Sequence, residues 1–251
     1  AQYPLIKEEI LLNFNDIIES AGFISGKHVA SFEKDFASYC GVENCIVVNN
    51  GTSALYLALL AVGIGFGDEV ILPVNTFIAT AEAISMVGAK PIFVDIENKT
   101  YNIDTSLLAE KINKNTKAII PVHLYGQCAA MDEITRIAKE NNLLVLEDAC
   151  QAHGATYKGK KAGSMGICGA FSFYPGKNLG TWGEGGAVVT NDFALAEKMK
   201  LIREHGSRKK YHHEIIGTNL RMNELQAAVL STKMKYLDQW NKLRNKNAKL
   251  Y

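Results

Sequence analysis

The chain has 251 residues, 47% of them hydrophobic and 21% charged, enough to bury a sizeable core in one large α/β domain. Its formal net charge is +1 and its basic residues are spread along the chain, which argues against a nucleic-acid or other polyanion footprint. The 5 cysteines (Cys40, Cys45, Cys128, Cys150, Cys168) lack any C-x-x-C or Cys/His metal spacing, and no apolar run approaches the roughly 20 residues of a membrane span, so a reduced, cytoplasmic protein without a structural metal is expected.

In chain order, helix and strand patterns alternate. Residues 31–40 read as helix, 45–50 as a short strand, 53–63 as a buried helix and 68–76 as a strand. Helix is then expected over 79–88, strand over 90–96, helix over 104–112, strand over 117–126, helix over 131–142 and strand over 143–149. Two apolar runs joined by a glycine-rich loop follow, at 168–174 and 185–191, and a helix covers 193–206. Strands separated by helices call for βαβ units and a mainly parallel sheet covered on both faces. The sequence opens at "AQYPLIKEEI" without Met and closes at "WNKLRNKNAKLY" while an amphipathic helical pattern is still running. We therefore expect a fragment: a large domain over 1–230, with 231–251 the start of a helix leading to an absent C-terminal small domain.

In such sheets chemistry gathers at the carboxyl ends of the strands. In "CIVVNNGTSALYLALL" a strand runs through Gly51, Thr52 and Ser53 straight into a helix, where free amides and hydroxyls suit either a phosphate or an ordinary N-cap. No Gly-Lys-Ser/Thr follows, so it is not a P-loop. "LLVLEDACQAHG" ends an apolar strand on Glu147 and Asp148, carboxylates that need a cation or a cluster of donors, or else serve as a turn cap. Phe77 stands just past the strand in "ILPVNTFIATA", either as core or as a stacking platform, and His123 at the end of "IIPVHLYGQ" reads as a structural histidine. In "FSFYPGKNLGTWGEGGAVVTND" one amine, Lys177, lies between two apolar strands, where desolvation would make it a nucleophile toward a carbonyl; a surface lysine on a hairpin is the alternative. A phosphate cup, an aromatic plate, a buried carboxylate and an imine-forming lysine together are what pyridoxal phosphate requires.

The motifs "NNGTSAL", "PVNTFIATAEAI", "GAKPIFVDI", "PVHLYGQ", "LEDACQAHGA", "FSFYPGKNLGTWGEGGAVVTN" and "GTNLRMNELQAAV" occur in that order. With them the whole chain resembles the DegT/DnrJ/EryC1/StrS family of pyridoxal-phosphate-dependent sugar aminotransferases. The resemblance implies a three-layer α-β-α fold of type I with a mainly parallel sheet. It also implies that Lys177 forms the Schiff base and later shuttles a proton, that Asp148 holds the pyridine nitrogen protonated, and that Phe77 stacks on the ring. Gly51, Thr52, Ser53 and Ser172 would hold the phosphate, Gln151 the phenolic oxygen side, and Asn219 the phosphate of the partner subunit's cofactor in a homodimer.

"FSFYPGKNLG" is similar to enzymes that aminate C3 of a nucleotide-linked keto-deoxyhexose. The resemblance thus implies amino transfer from L-glutamate to a dTDP-linked 3-keto-6-deoxyhexose, with Tyr174, His212 and His213 as candidate substrate contacts. Cys150 stands where the family usually has alanine, a small swap near the ring that implies either altered packing or an oxidation-sensitive site. Two other readings are a sugar dehydratase of the same fold, whose members carry histidine in place of the lysine, and a non-catalytic cofactor- or sugar-binding regulatory protein.

Overall fold

The computed structural model describes residues 2–251, built around one seven-stranded sheet. Two helices come first, α1 (Tyr3–Ser20) and α2 (Lys27–Cys40), the second stopped by Gly41 at φ +72°. Strands and helices then alternate through β1 (Asn44–Val48), α3 (Gly51–Val62), β2 (Glu69–Pro73), α4 (Ala79–Met86) and β3 (Lys90–Val94). They continue through the single turn α5 (Leu108–Lys111), β4 (Thr116–Ile119), α6 (Met131–Glu140) and β5 (Leu144–Asp148). A hairpin of β6 (Thr156–Tyr157) and β7 (Lys160–Lys161) precedes β8 (Cys168–Ser172) and β9 (Gly186–Thr190). After α7 (Phe193–Arg203) come a ribbon of β10 (Ser207–Lys209) and β11 (His212–His213), then α8 (Glu224–Met234) and α9 (Leu237–Ala248).

The strand order is β1-β9-β8-β5-β4-β2-β3, with β3, β2, β4, β5 and β8 parallel and β9 antiparallel to both of its neighbours. Because β9 reverses direction beside β8, the loop joining them lies at the same edge as the carboxyl ends of the parallel strands. The pleat sends alternate residues to opposite faces. Ile46, Val48, Val70, Leu72, Ala118 and Val188 pack beneath α3, α4 and α7. On the other face Val47, Phe171 and Val189 meet α2 and α8, while Ile71, Ile119 and Val145 meet α5 and α6. This is the three-layer α-β-α architecture expected.

Two elements differ from the sequence reading. The strand expected over 117–126 leaves the regular ladder after Ile119, since Pro121 has no N–H to donate; Val122 keeps one isolated bridge to Asp148. The helix expected over 104–112 is a 3-10 turn, Thr105–Leu107, followed by the one turn of α5. Residue 230 lies inside α8, and Leu230 and Leu237 are buried in one cluster with Phe32, Phe171 and Phe173.

Glu147, fully buried at the end of β5, solves the problem of a carboxylate in an apolar strand with four donors. The amides of Gly163, Met165 and Gly166 reach it at 2.8, 2.6 and 2.6 Å, and Nε2 of buried His123 at 2.8 Å. His123 Nδ1 accepts from the Ala129 amide at 3.2 Å, which puts the ring proton on Nε2, facing the carboxylate. His123 is therefore structural, as its sequence context suggests. Replacement of Glu147 by leucine would strand these donors, and we expect a loss of about 3–5 kcal/mol of stability, read from the urea midpoint.

His153 is buried between Phe171 and Phe173, with ring centroids 5.5 and 5.7 Å away, and neither ring nitrogen has a hydrogen-bond partner among the described residues. Burial, and then the charge of Lys177, push its pKa down to about 3. The unfolded chain thus takes up a proton on this ring before the native one does. The stability it contributes is fully present above about pH 6.5 and is lost progressively as the pH falls toward 3. His153→Leu should flatten this acid limb while leaving stability at pH 8 little changed, as measured by denaturation at several pH values.

Candidate active site

At the carboxyl edge of the sheet a cavity of about 780 Å³ opens. Lys177, Asp148, Phe77, Gly51, Thr52, Ser172, Gln151 and Tyr174, drawn from four separate strand ends, all line it. The structure thus brings together most of the residues singled out in the sequence.

The start of α3 forms one wall. Asn50 caps the helix, its Oδ1 accepting the Ser53 amide at 2.8 Å, so that amide is already engaged and Ser53 does not line the cavity. The amides of Gly51 and Thr52, in the first turn, have no intrahelical acceptor. A Cβ on Gly51 would lie 2.6 Å from that of Ser172, and one on Gly186 would lie 2.4 Å from the Asn50 carbonyl. Only glycine at both positions lets the helix start sit against the ends of β8 and β9. The result is a cup of two amides and the Thr52 and Ser172 hydroxyls, suited to an anion.

Asp148 is 6% exposed and anchored through both oxygens. Oδ2 accepts from the Thr80 hydroxyl at 2.8 Å and Oδ1 from the Cys150 amide at 3.1 Å. The Thr76 hydroxyl lies 2.8 Å from that of Thr80; since the Thr80 proton goes to the carboxylate, Thr76 is the donor of this pair. Two threonines four residues apart, Thr76 before α4 and Thr80 in its first turn, were the available signal for this support, and what they face is decided by packing. Gln151 is aimed by the Tyr125 amide, which donates to its Oε1 at 2.9 Å from a left-handed turn (φ +53°). Phe77 and Tyr174 are exposed in the cavity wall, and Glu184, which the sequence reading did not single out, lines it as well.

Lys177 corrects one expectation. It is half-buried in the wall of an open cavity and is not sealed between two apolar strands, because the Tyr174–Lys177 turn, closed by the Lys177 amide on the Tyr174 carbonyl at 2.9 Å, carries it beyond the sheet. Asn219 lies outside this chain's cavity, exposed, with its Oδ1 accepting from Arg221 Nε at 3.0 Å. His212 and His213 are exposed on the β10–β11 ribbon, and neither lines the cavity. Among the described residues no His, Cys, Asp or Glu cluster could hold a metal, and no helix is long and apolar enough to cross a membrane.

Cys150 is half-buried and lines the cavity. Desolvation, reinforced by the charge of Asp148, pushes its pKa above the ordinary thiol range, and burial raises Cys128 to about 11. A thiol so protonated is a poor nucleophile. At pH 7.5 we expect iodoacetamide to modify Cys150 more slowly than a free thiol and faster after unfolding, as followed by peptide mass spectrometry.

The chain is 52% identical over 245 residues to dTDP-3-amino-3,6-dideoxy-alpha-D-galactopyranose transaminase of Aneurinibacillus thermoaerophilus, covering 98% of this chain and 68% of that one. It is 48% identical over 250 residues to the Pleiotropic regulatory protein of Geobacillus stearothermophilus, covering 100% of this chain and 67% of the relative. The crystal structure of DesV from S. venezuelae in complex with a ketimine intermediate superposes with a TM-score of 0.96 at 44% identity, over 98% of this chain and 66% of that one. The chain thus spans about two thirds of the length of these relatives. The model of the DegT/DnrJ/EryC1/StrS aminotransferase family matches residues 4–251, and with the shared fold and the lysine and aspartate meeting in one cavity, the chain belongs to that family.

Proposed function

We propose that the protein is a pyridoxal-phosphate-dependent aminotransferase that moves an amino group from L-glutamate to a nucleotide-linked keto-deoxysugar. Its product would be a 3-amino sugar nucleotide, with 2-oxoglutarate released. The observation that carries this reading is that Lys177 and Asp148 line one cavity together with the anion cup at Gly51, Thr52 and Ser172.

The residues fit the cofactor. A cradle that a Cβ on Gly51 would fill suits its phosphate, and an acceptor-only carboxylate held by Thr80 and Cys150 suits its ring nitrogen. When bound, the group supplies an electron sink for carbanion chemistry next to nitrogen. Asp148, as an opposite charge, would favour the protonated ring nitrogen. Phe77 would offer a ring face for stacking, and Gln151 a polar group on the phenolic oxygen side. Lys177 would carry the cofactor and, as a free amine, would take the proton from the amino donor's carbon and give it up as general acid. Asn219, outside its own cavity, is suited to the site of a second copy in a homodimer.

The sugar assignment leans on the Aneurinibacillus thermoaerophilus relative, named for a dTDP-3-amino-3,6-dideoxy sugar, and we extend it to a dTDP-linked 3-keto-6-deoxyhexose with Tyr174 at the cavity wall as a contact. A regulatory reading draws support from the name of the Geobacillus stearothermophilus relative. It gives no physical reason for Lys177, Asp148 and the anion cup to be retained in one cavity. The dehydratase reading requires histidine where Lys177 stands.

Borohydride reduction of the full-length protein loaded with pyridoxal phosphate should fix the cofactor to Lys177 alone, as located by peptide mass spectrometry. With L-glutamate and the keto sugar, 2-oxoglutarate should accumulate. Lys177→Ala should remove both the label and at least about 10³-fold of the rate, and Asp148→Ala a comparable share of the rate with the label retained. Absence of the label from the folded, full-length wild type would favour the regulatory reading.

A further inference from the structure

The loop that carries Lys177 is held from outside the cavity by three polar side chains of α8 and α9. Gln226 Oε1 accepts the Trp182 amide at 2.9 Å. Lys233, only 6% exposed, donates from Nζ to the Gly180 carbonyl. Asn241 Oδ1 accepts from Asn178 Nδ2 at 2.8 Å. These contacts meet the loop at positions 178, 180 and 182, beginning one residue beyond Lys177. Gln226 and Lys233 are seven residues apart on α8 and so share a helix face.

Asn241 also reaches the other catalytic segment. Its Nδ2 donates to the His153 carbonyl at 2.9 Å, five residues after Asp148 on the same excursion from β5. The approach is tight: Gly154, at φ +85°, would place a Cβ 3.0 Å from Asn241 Nδ2 and 2.4 Å from the Tyr39 hydroxyl oxygen. One amide group thus bridges the Lys177 loop and the Asp148 segment. Inside the loop, the Lys177 amide on the Tyr174 carbonyl and the Thr181 amide on the Phe173 carbonyl at 2.8 Å fix its shape. A Cβ on Gly180 would lie 2.7 Å from the Pro175 carbonyl oxygen, so the loop is folded closely on itself. What internal bonds do not fix is where the loop sits relative to Asp148.

A lysine is a costly way to fill space. Few are buried without an ionic partner, and an apolar side chain of similar length would fill the same volume without desolvating a charge. Its place against a loop carbonyl points to the contact itself as its use. Resting on the reading of Lys177 as the residue that carries the cofactor, we propose that Asn241 and Lys233, with Gln226, are positioning residues: a clamp from α8 and α9 that sets the Lys177 amine at its working distance from Asp148. None of the three touches the cavity.

The test uses Asn241→Ala and Lys233→Met in the full-length protein with two readouts. The first is hydrogen exchange of the peptide spanning 174–182 without cofactor. We expect it to speed up by about tenfold in each variant while core strands exchange as in the wild type, since one contact to the loop is lost and the sheet is not. The second is the pH midpoint of the visible absorption of bound pyridoxal phosphate, which should move in both variants, with kcat reduced and KM for the amino donor little changed. A general loss of stability would instead speed exchange throughout and leave the midpoint alone. Should Lys233→Met fail to fold, Asn241→Ala and Asn178→Ala, which share one bond, decide the matter: Asn178→Ala should show the smaller effect and add little in the Asn241→Ala background, since Asn241 also holds the His153 carbonyl.

Wild-type exchange and an unmoved midpoint in both variants would overturn the clamp. So would faster loop exchange with the midpoint unmoved, since the contacts would then only prop the loop. Failure of borohydride to fix the cofactor on wild-type Lys177 would count against the aminotransferase reading, and the exchange readout would still decide whether the clamp restrains the loop.

Discussion

The buried carboxylate of Glu147 is the constraint on which the site depends. A charge with no exposure at the end of β5 is tolerable only because three amides from the 163–166 turn and His123 converge on it. That convergence ties the segment after β4 and the turn before β8 to the strand whose next residue is Asp148. The same segment after β4 carries Tyr125, whose amide orients Gln151. A fully satisfied network of this kind rigidifies what it joins. The position of Asp148 at the cavity thus rests in part on a carboxylate that does not line that cavity.

A second constraint is steric. The first turn of α3 meets the ends of β8 and β9 at distances that exclude a Cβ on Gly51 and on Gly186. The close approach creates the anion cup and brings the Ser172 hydroxyl beside the free amides of the helix. It also sets the layout of the cavity, with the anion end at α3 and the reactive amine beyond β8. The antiparallel strand β9 matters here, because its reversal returns the Lys177 loop to the functional edge of the sheet.

Polar groups are distributed unevenly about this site. Asp148 is held by donors of the sheet edge and of α4, whereas the Lys177 loop is held mainly by side chains of α8 and α9. Cys150, half-buried in the cavity wall, has its thiol pKa pushed up by desolvation and by the neighbouring Asp148. His153 has a similar character: an ionisable ring held neutral by two phenylalanines and the nearby Lys177 charge.

Local sequence determined the alternation of helices and strands, the mainly parallel sheet, and the residues at its carboxyl edge, because apolar period and glycine placement are properties of neighbours along the chain. It marked Lys177, Asp148, Gly51 and Phe77 as chemically unusual where they stood, and their motifs carried the family resemblance. It misjudged the strand after Lys117, where Pro121 interrupts the ladder. Only the tertiary structure decided that Thr80 serves Asp148, that Ser53 spends its amide on a cap, that Lys177 opens to a cavity, and that Asn241 joins two loops. Each of these depends on which atoms meet across tens or hundreds of residues. That is settled by the packing of the sheet and its two helical layers, and no local pattern records it.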